Sequence, residues 1–543
     1  MQNRTKTPFP KKKPNSSSII HNDYTAQIPR IPLGINRLHP QSSTSTVPIK
    51  EMLKHSSTTT GFIKSTVMHS SAKETLSALP ISLSTSQKLT SIPTVLPLSL
   101  ELSLPISLPS AQKVTSIPIC LSHHDITDIP KARPYSFWDK PLLTHDCIII
   151  GGGIVGLSTA ISFKESVPNA KVLVLESGIL PTGASSRNAG FTCFGSLSEI
   201  LNDIQKMGEE KAIAQVRDRW EGLKLLREFL GDSAIGFRQP GNYELLTEDL
   251  LSQLKHLERI NTLLYPIFGD DVFIRTDEDI DKFGFSKKHV KALILNQFEG
   301  ELDSGKMMEA LRTKAQSLNI VIRYGSHALR PRNIPNGIEI PVQHKGGIVP
   351  FHAKVAAVCI NGYTNDLFPE YDIKPGRGQI FVTKPMKHPL RFKAPCHLGA
   401  GFWYFRPLEG NRILLGGGRH LNFSQETTTN RTTTADIMGP LKAILQQIIV
   451  PSDTPIIEHT WAGVMGFSSD HQPKIEVIPG HPGLIIGFGC NGMGIARGFH
   501  TGQKTAALLR TQLAPHLKSF HSLENQSLEN TTKERTFSVR SRL

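Results

Sequence analysis

An α/β fold is predicted for the central part of this 543-residue chain, and three observations predict it. The apolar run Cys147–Ile150 has the look of a fully buried strand and leads directly into a glycine-rich turn and an apolar helix. A second apolar strand, Val172–Glu176, follows at the distance of one helix. Helix and strand signals then alternate to about Leu513, whereas the residues before and after this stretch show none.

The first 140 or so residues are rich in Ser, Thr, Pro and Leu and poor in aromatics, so residues 1–140 are expected to form a disordered tail. Within it Leu79–Pro93 (LPISLSTSQKLTSIP) recurs as Leu104–Pro118 (LPISLPSAQKVTSIP), and two copies are too few for a solenoid. The chain carries a net charge of +15, but the first 122 residues hold 13 Lys and Arg against 4 acids. The basic character therefore belongs mainly to the tail, and no nucleic-acid partner is expected for the rest of the chain. The opening MQNRTKTPFPKKKPNSSS has the composition of a transit peptide without an amphipathic Arg-bearing helix, and no apolar signal-peptide core follows it. The expected location is the cytoplasm, with an organelle as the alternative if the tail is a transit peptide.

The six cysteines form neither CxxC pairs nor a zinc spacing, which fits a reducing compartment and gives no metal site. The longest apolar stretch, Cys147–Phe163, is too short to span a membrane and contains Gly151, Gly152, Gly153 and Gly156.

Gly151-x-Gly153-x-x-Gly156 follows the strand and opens the helix, and Glu176 ends the next strand 20 residues beyond Gly156. The first glycine permits a tight turn, the second lets backbone approach a pyrophosphate, and the third lets helix and strand pack closely. The phosphates would face the amides at the helix start, at Ile154 and Val155. Glu176 is placed to accept hydrogen bonds from a ribose, and its charge disfavours a phosphorylated one, which points to FAD or NAD rather than NADP. This is a Rossmann-like dinucleotide-binding unit.

Further along, Asp303 is an N-cap for a helix through Leu311 and Leu318 that leads to a strand, Ile320–Tyr324, and then to the apolar strand Val355–Ile360. A strand at Leu484–Phe488, a glycine-rich turn and a helix to about Leu509 close the ordered part. Two insertions interrupt it. One carries an amphipathic helix with Ile213, Val216, Trp220 and Leu223 on its apolar face and Gly231 as C-cap; the other carries short β runs such as Gln379–Thr383 and Arg412–Leu415. The expected division is a discontinuous cofactor domain (144–200, 296–365, 453–512) interleaved with an α+β substrate domain (201–295, 366–452), with residues 513–543 unstructured.

Two further segments separate FAD from NAD. Pro181–Phe191 reads PTGASSRNAGF, and Gly487–Gly498 reads GFGCNGMGIARG after a strand. Together with Gly300–Leu311 (GELDSGKMMEAL), Ala356–Thr364 (AAVCINGYT), Phe402–Gly418 (FWYFRPLEGNRILLGGG) and Trp461–Pro473 (WAGVMGFSSDHQP), they resemble the D-amino-acid oxidase superfamily of FAD enzymes, near the glycine, sarcosine and γ-glutamylputrescine oxidases. The resemblance covers about Asp146–Leu509. It implies that Ser185, Ser186, Arg187, Asn188 and Gly190 pass along the flavin, and that Gly489, Asn491, Gly492, Met493 and Gly494 bring amides to its pyrimidine edge. Amide donors at a helix start would stabilise the negative charge a flavin gains on taking up electrons. Relatives that attach FAD covalently use a histidine or cysteine. The 181–191 loop has no histidine and the 461–473 segment no cysteine, so FAD is expected to be bound non-covalently, with Cys193 and Cys490 the thiols nearest the flavin loops.

The resemblance implies oxidation of a carbon–nitrogen bond in a small amine or amino acid: hydride passes to flavin, the imine hydrolyses, and oxygen is reduced to hydrogen peroxide. The alternatives are a flavin dehydrogenase serving a quinone or carrier protein, a tRNA-modifying flavoenzyme, and a non-catalytic flavin-fold scaffold. No general base is assigned, because the cofactor carries the chemistry. Tyr404 and Arg406 are the substrate-orienting candidates. Alternation along a strand puts them on one face and Trp403 and Phe405 on the other, and an arginine can grip a carboxylate with two hydrogen bonds. The same segment reads equally well as a core strand whose arginine is held in a structural salt bridge. Arg419 and His420, after the glycine run, are further candidates.

Overall fold

The computed structural model describes residues 135–514. The N-terminal tail up to residue 134, with its duplication, and residues 515–543 lie outside the described residues. Regular structure starts earlier than expected, with a 3-10 turn at Phe137–Asp139 and a short helix at Lys140–Leu143 before the first strand, Thr144–Ile150.

That strand is the centre of a nine-stranded sheet. It pairs in parallel with Val172–Leu175 on one side and Gly347–Val358 on the other; Val321–Arg323 and Leu484–Phe488 extend the parallel set outward. Parallel strands covered on both faces are built from continuous apolar runs, and residues 147–150 and 172–175 are all buried. Helix Ile154–Ser166 buries nine of its thirteen residues, so it is a core helix without a polar face. Helix Ser304–Ser317, capped as expected by the Asp303 carboxylate on Lys306 N at 3.0 Å, packs beside it with the helix over 494–514. The opposite face is covered by an antiparallel extension, Arg332–Ile334 and Gly337–His344 against the N-terminal half of Gly347–Val358.

The second sheet has eight strands in the order Ile457–Phe467, Lys374–Thr383, Arg412–Gly417, Trp403–Leu408, Cys396–Leu398, Asn242–Leu246, Ala292–Asn296 and Phe273–Arg275. Strand Ile457–Phe467 belongs here, although the sequence grouped it with the cofactor segments; its eleven residues pair along the whole of Lys374–Thr383. Pairing between strands about 80 residues apart leaves no local sign in either one. The amphipathic helix is Glu209–Leu230, with Val216 and Leu223 buried, Ile213 and Trp220 packed against the core, and Gly231 ending it at φ +81°.

One buried ion pair ties the segment after the glycine run to the second sheet. Arg377 donates through Nε and Nη2 to the Glu426 carboxylate at 2.8 and 2.6 Å, and Gln379 Nε2 donates to both Glu426 oxygens at 3.0 and 2.9 Å. The ion-paired residues are only 4 % and 2 % exposed, so removing one charge strands the other. Glu426→Ala is therefore expected to cost about 3–5 kcal/mol, read as a lowered urea midpoint with unchanged slope.

Candidate active site

A cavity of about 730 Å³ runs between the two sheets. It opens at the carboxyl ends of the parallel strands, where open α/β sheets bind their ligands, and its volume is in the range of small-molecule and cofactor sites. Gly151, Gly153, Ile154, Val155, Glu176, Ser185, Ser186, Arg187, Asn188, Gly190, Asn491, Gly492, Met493 and Gly494 all line it. Gly156 and Gly489 do not.

Gly156 acts from behind the turn: a Cβ there would sit 1.9 Å from the Gly151 carbonyl oxygen. Gly151 itself is held at φ +107°, with the Cys359 carbonyl oxygen where its Cβ would be. Gly489, at φ +87°, donates its amide to Asn361 Oδ1 at 3.1 Å and shapes the approach to the 494–514 helix.

The Glu176 carboxylate accepts from Gly152 N and Gly178 N, both at 2.9 Å, which fixes it across the turn with lone pairs to spare for a ribose. Ser185 Oγ accepts from Ile154 N at 2.9 Å. Asn188 Oδ1 accepts from Gly190 N at 2.8 Å and from Ser304 Oγ, so this side chain holds the loop in shape. The residues present fit a dinucleotide. The first helix amides have no intrahelical acceptors, and Arg187 lines the cavity with its Nε buried and without a hydrogen-bond partner.

Cys193, Cys359 and Cys490 also line the cavity. Burial holds the Cys193 thiol well above the ordinary range and pushes Cys490 up to about 11 and Cys359 to about 12, so all three stay protonated at neutral pH. Cys193 Sγ touches Met493 Sδ at 3.6 Å, joining the loop after strand Phe191–Thr192 to the turn before the last helix.

The strand Trp403–Leu408 divides as alternation requires. Trp403 and Phe405 are buried in the core of the second sheet, while Tyr404 lines the cavity. The Tyr404 ring lies over Gly416, where a Cβ would come within 2.6 Å of it, and burial raises its hydroxyl to about 12. Arg406 is on the same face but does not reach the cavity. It donates through Nη1 to Glu301 at 2.9 Å, both residues being buried, and Arg238 pairs with the other Glu301 oxygen. Its role is therefore the structural salt bridge, because a buried carboxylate 105 positions earlier in the chain claims the guanidinium before any ligand can.

Arg419 does line the cavity, as do Arg187, Arg219 and Arg431. Its guanidinium stacks 3.8 Å from the Phe467 ring centre and 5.1 Å from that of Phe423, and it forms no ion pair with a carboxylate among the described residues. Burial lowers its pKa to about 10, which leaves it charged at neutral pH. His420 is packed against Phe402 and Trp403 at ring distances of 4.5 and 5.0 Å, and burial depresses its pKa to about 4. It belongs to the core. Glu199, His397, Tyr363 and Phe467 line the cavity without having been singled out in the sequence; Glu199 is disguised there as the third residue of a capping box.

The family model described as DAO, FAD dependent oxidoreductase, matches residues 146–508. Among solved structures, the chain is similar to glycine oxidase from Geobacillus kaustophilus at 19 % identity and TM-score 0.56, over 68 % of this chain and 95 % of that one. It is similar to L-proline dehydrogenase from P. horikoshii at 19 % identity and TM-score 0.55, over 67 % and 93 %. Iminodiacetate oxidase from Chelativorans sp. BNC1 gives 18 % identity and TM-score 0.53, over 67 % and 95 %. At these identities the likeness is one of fold. No curated protein matches the chain.

Proposed function

Since this chain belongs to the family of FAD-dependent oxidoreductases, we propose that it oxidises the carbon–nitrogen bond of an amino acid whose carboxylate is held by Arg419. The observation that carries this reading is an arginine lining the cavity, stacked on Phe467 and Phe423 and lacking a carboxylate partner among the described residues. A partly buried guanidinium without an anion is costly, and a substrate carboxylate accepting two parallel hydrogen bonds would relieve that cost.

FAD, when bound, supplies the acceptor for the hydride leaving the substrate carbon. Gly151 and Gly153 would leave room for its phosphates, Val155 would present a helix-start amide to them while that of Ile154 donates to Ser185 Oγ, Glu176 would take the ribose, and residues 185–188 and 491–494 would hold the flavin end. The attachment is non-covalent, in keeping with the protonated state of the Cys193 and Cys490 thiols.

On the substrate side Arg419 fixes the carboxylate, and Tyr404 offers a hydroxyl that stays protonated and can donate a hydrogen bond. Phe467 and Phe191 supply apolar wall, which keeps water from the reacting carbon. The amine must arrive uncharged for its carbon to release hydride, and the resulting imine is then hydrolysed by water. Oxygen is the proposed final acceptor, giving hydrogen peroxide.

The test is spectroscopic. The purified full chain is expected to be yellow, to release its flavin on acid precipitation, and to bleach anaerobically with an amino acid. Peroxide formation in air follows from an oxidase, whereas bleached protein that recovers only with a quinone would replace oxygen by another acceptor. A colourless protein that cannot take up FAD would end the proposal.

A further inference from the structure

We propose that the substrate carries a second cationic group and that Glu199 is the residue that reads it. This rests on the assignment of the carboxylate to Arg419 and narrows the substrate to a dibasic amino acid.

Glu199 is the third residue of helix Leu197–Met207 and is locked by a capping box. Its Oε2 accepts from Ser196 N at 3.0 Å, and Ser196 Oγ accepts from Glu199 N at 3.3 Å. The carboxylate lines the cavity with no ion-pair partner among the described residues. The loop Gly399, Ala400, Gly401, with φ of +62°, +53° and +81°, packs against it; a Cβ at Gly401 would lie 2.8 Å from Oε1. Only residues tolerating the left-handed region fit so closely.

Of the cations nearby, Arg219 is engaged, and Lys206, which also lines the cavity, is exposed. Arg219, which feels Glu199, donates through Nη1 to the Phe194 carbonyl at 2.9 Å and pairs with Asp203 at 3.5 Å. Asp203 is further occupied by the Gln215 side-chain amide at 2.8 Å. Among the residues that line the cavity, Arg419 and Glu199 are a guanidinium and a carboxylate that form no ion pair with another described residue.

A second feature points to a ligand at the same place. His397 is only 6 % exposed, lines the cavity, and has no hydrogen-bond partner among the described residues. Its ring stacks on Phe191 at 5.0 Å and feels the Glu199 charge. An unpaired imidazole and a carboxylate whose charge it feels, with lone pairs left over beyond the one that takes the Ser196 amide, form a receptor for N–H donors.

The chemistry distinguishes which nitrogen they receive. A carboxylate beside the reacting amine would hold its proton and suppress hydride release, since only the neutral amine reacts. A distal ammonium, which keeps its charge throughout the reaction, suffers no such penalty. Glu199 accordingly suits the side-chain cation of a substrate whose α-carboxylate sits on Arg419.

Lysine and norleucine differ by that ammonium, and glutamate replaces it with a carboxylate on a shorter chain. Anaerobic bleaching of the full-chain holoenzyme should be followed with both enantiomers of each. Lysine is expected to exceed norleucine in kcat/KM by roughly 10- to 100-fold, mostly through KM. Glu199→Gln, which retains a side chain able to complete the capping box, should collapse that ratio. Ser196→Ala, which breaks the cap but leaves the carboxylate, should preserve it. Preference for norleucine or glutamate, or a ratio unmoved by Glu199→Gln, overturns the proposal while leaving the Arg419 assignment intact. Bleaching by butylamine and by none of the amino acids would overturn both.

Discussion

Arg419→Met is expected to lower kcat/KM for amino-acid substrates by about 100- to 1000-fold, the usual consequence of removing one member of a buried, hydrogen-bonded charge pair. Methionine matches the length of the arginine stem and keeps apolar contact with Phe467 and Phe423, so the fold should tolerate the change. The loss should fall first on KM, because a carboxylate anchor binds the ground state and the transition state alike. Arg419→Lys should recover part of it, keeping the charge but not the two-pronged geometry. Competitive inhibition by acetate should weaken in parallel, which a merely structural arginine would not produce. In contrast, Arg406→Met should show its effect as lost stability, since Glu301 would be left buried with only Arg238 to balance it. Equal KM values in wild type and Arg419→Met would remove Arg419 from the substrate site.

The second large effect is expected from Gly156→Ala. Helix propensity alone favours alanine over glycine by about 1 kcal/mol, so the substitution would stabilise an ordinary helix. Here the new methyl group would be placed 1.9 Å from the Gly151 carbonyl oxygen, and a backbone atom cannot swing aside as a side chain can. Helix Ile154–Ser166 would have to separate from its strand, spreading the turn that cradles the phosphates. Overpacking of this kind costs about 3 kcal/mol or more, and FAD affinity should fall roughly 100-fold as the helix amides lose their aim. Both are readable without turnover, as a lower melting temperature and as a faint yellow colour after dialysis. Unaltered FAD retention in Gly156→Ala would show that the turn relaxes without loss.

The glycine turn that lines the cavity was legible because its signals are local. Gly151, Gly153 and Gly156 lie within one turn of chain, and a strand, a tight turn and a helix can be recognised from consecutive residues. Asp303 as an N-cap and Gly231 as a C-cap were legible for the same reason: a cap acts on backbone within about one helical turn. Alternation along Trp403–Arg406 put Trp403 and Phe405 on the core face and Tyr404 on the cavity face, although Arg406 on that same face does not reach the cavity.

What alternation could not supply was which of the two candidate arginines, Arg406 or Arg419, reaches the cavity. Arg406 and Arg419 both follow aromatic or glycine-rich stretches. Their fates differ because Glu301, 105 positions before Arg406, comes to lie beside it, while Phe467 brings Arg419 an aromatic face and no charge. The pairing of Ile457–Phe467 with Lys374–Thr383 was hidden in the same way, and Glu199 passed for an ordinary helix cap. By itself the sequence determined a Rossmann-like unit, its dinucleotide turn and the elements flanking it, since hydrogen bonding and sterics between near neighbours dictate those. Only the tertiary structure decided which charges are satisfied and which are left facing the cavity, because neutralising a buried charge depends on partners that the fold gathers from distant parts of the chain.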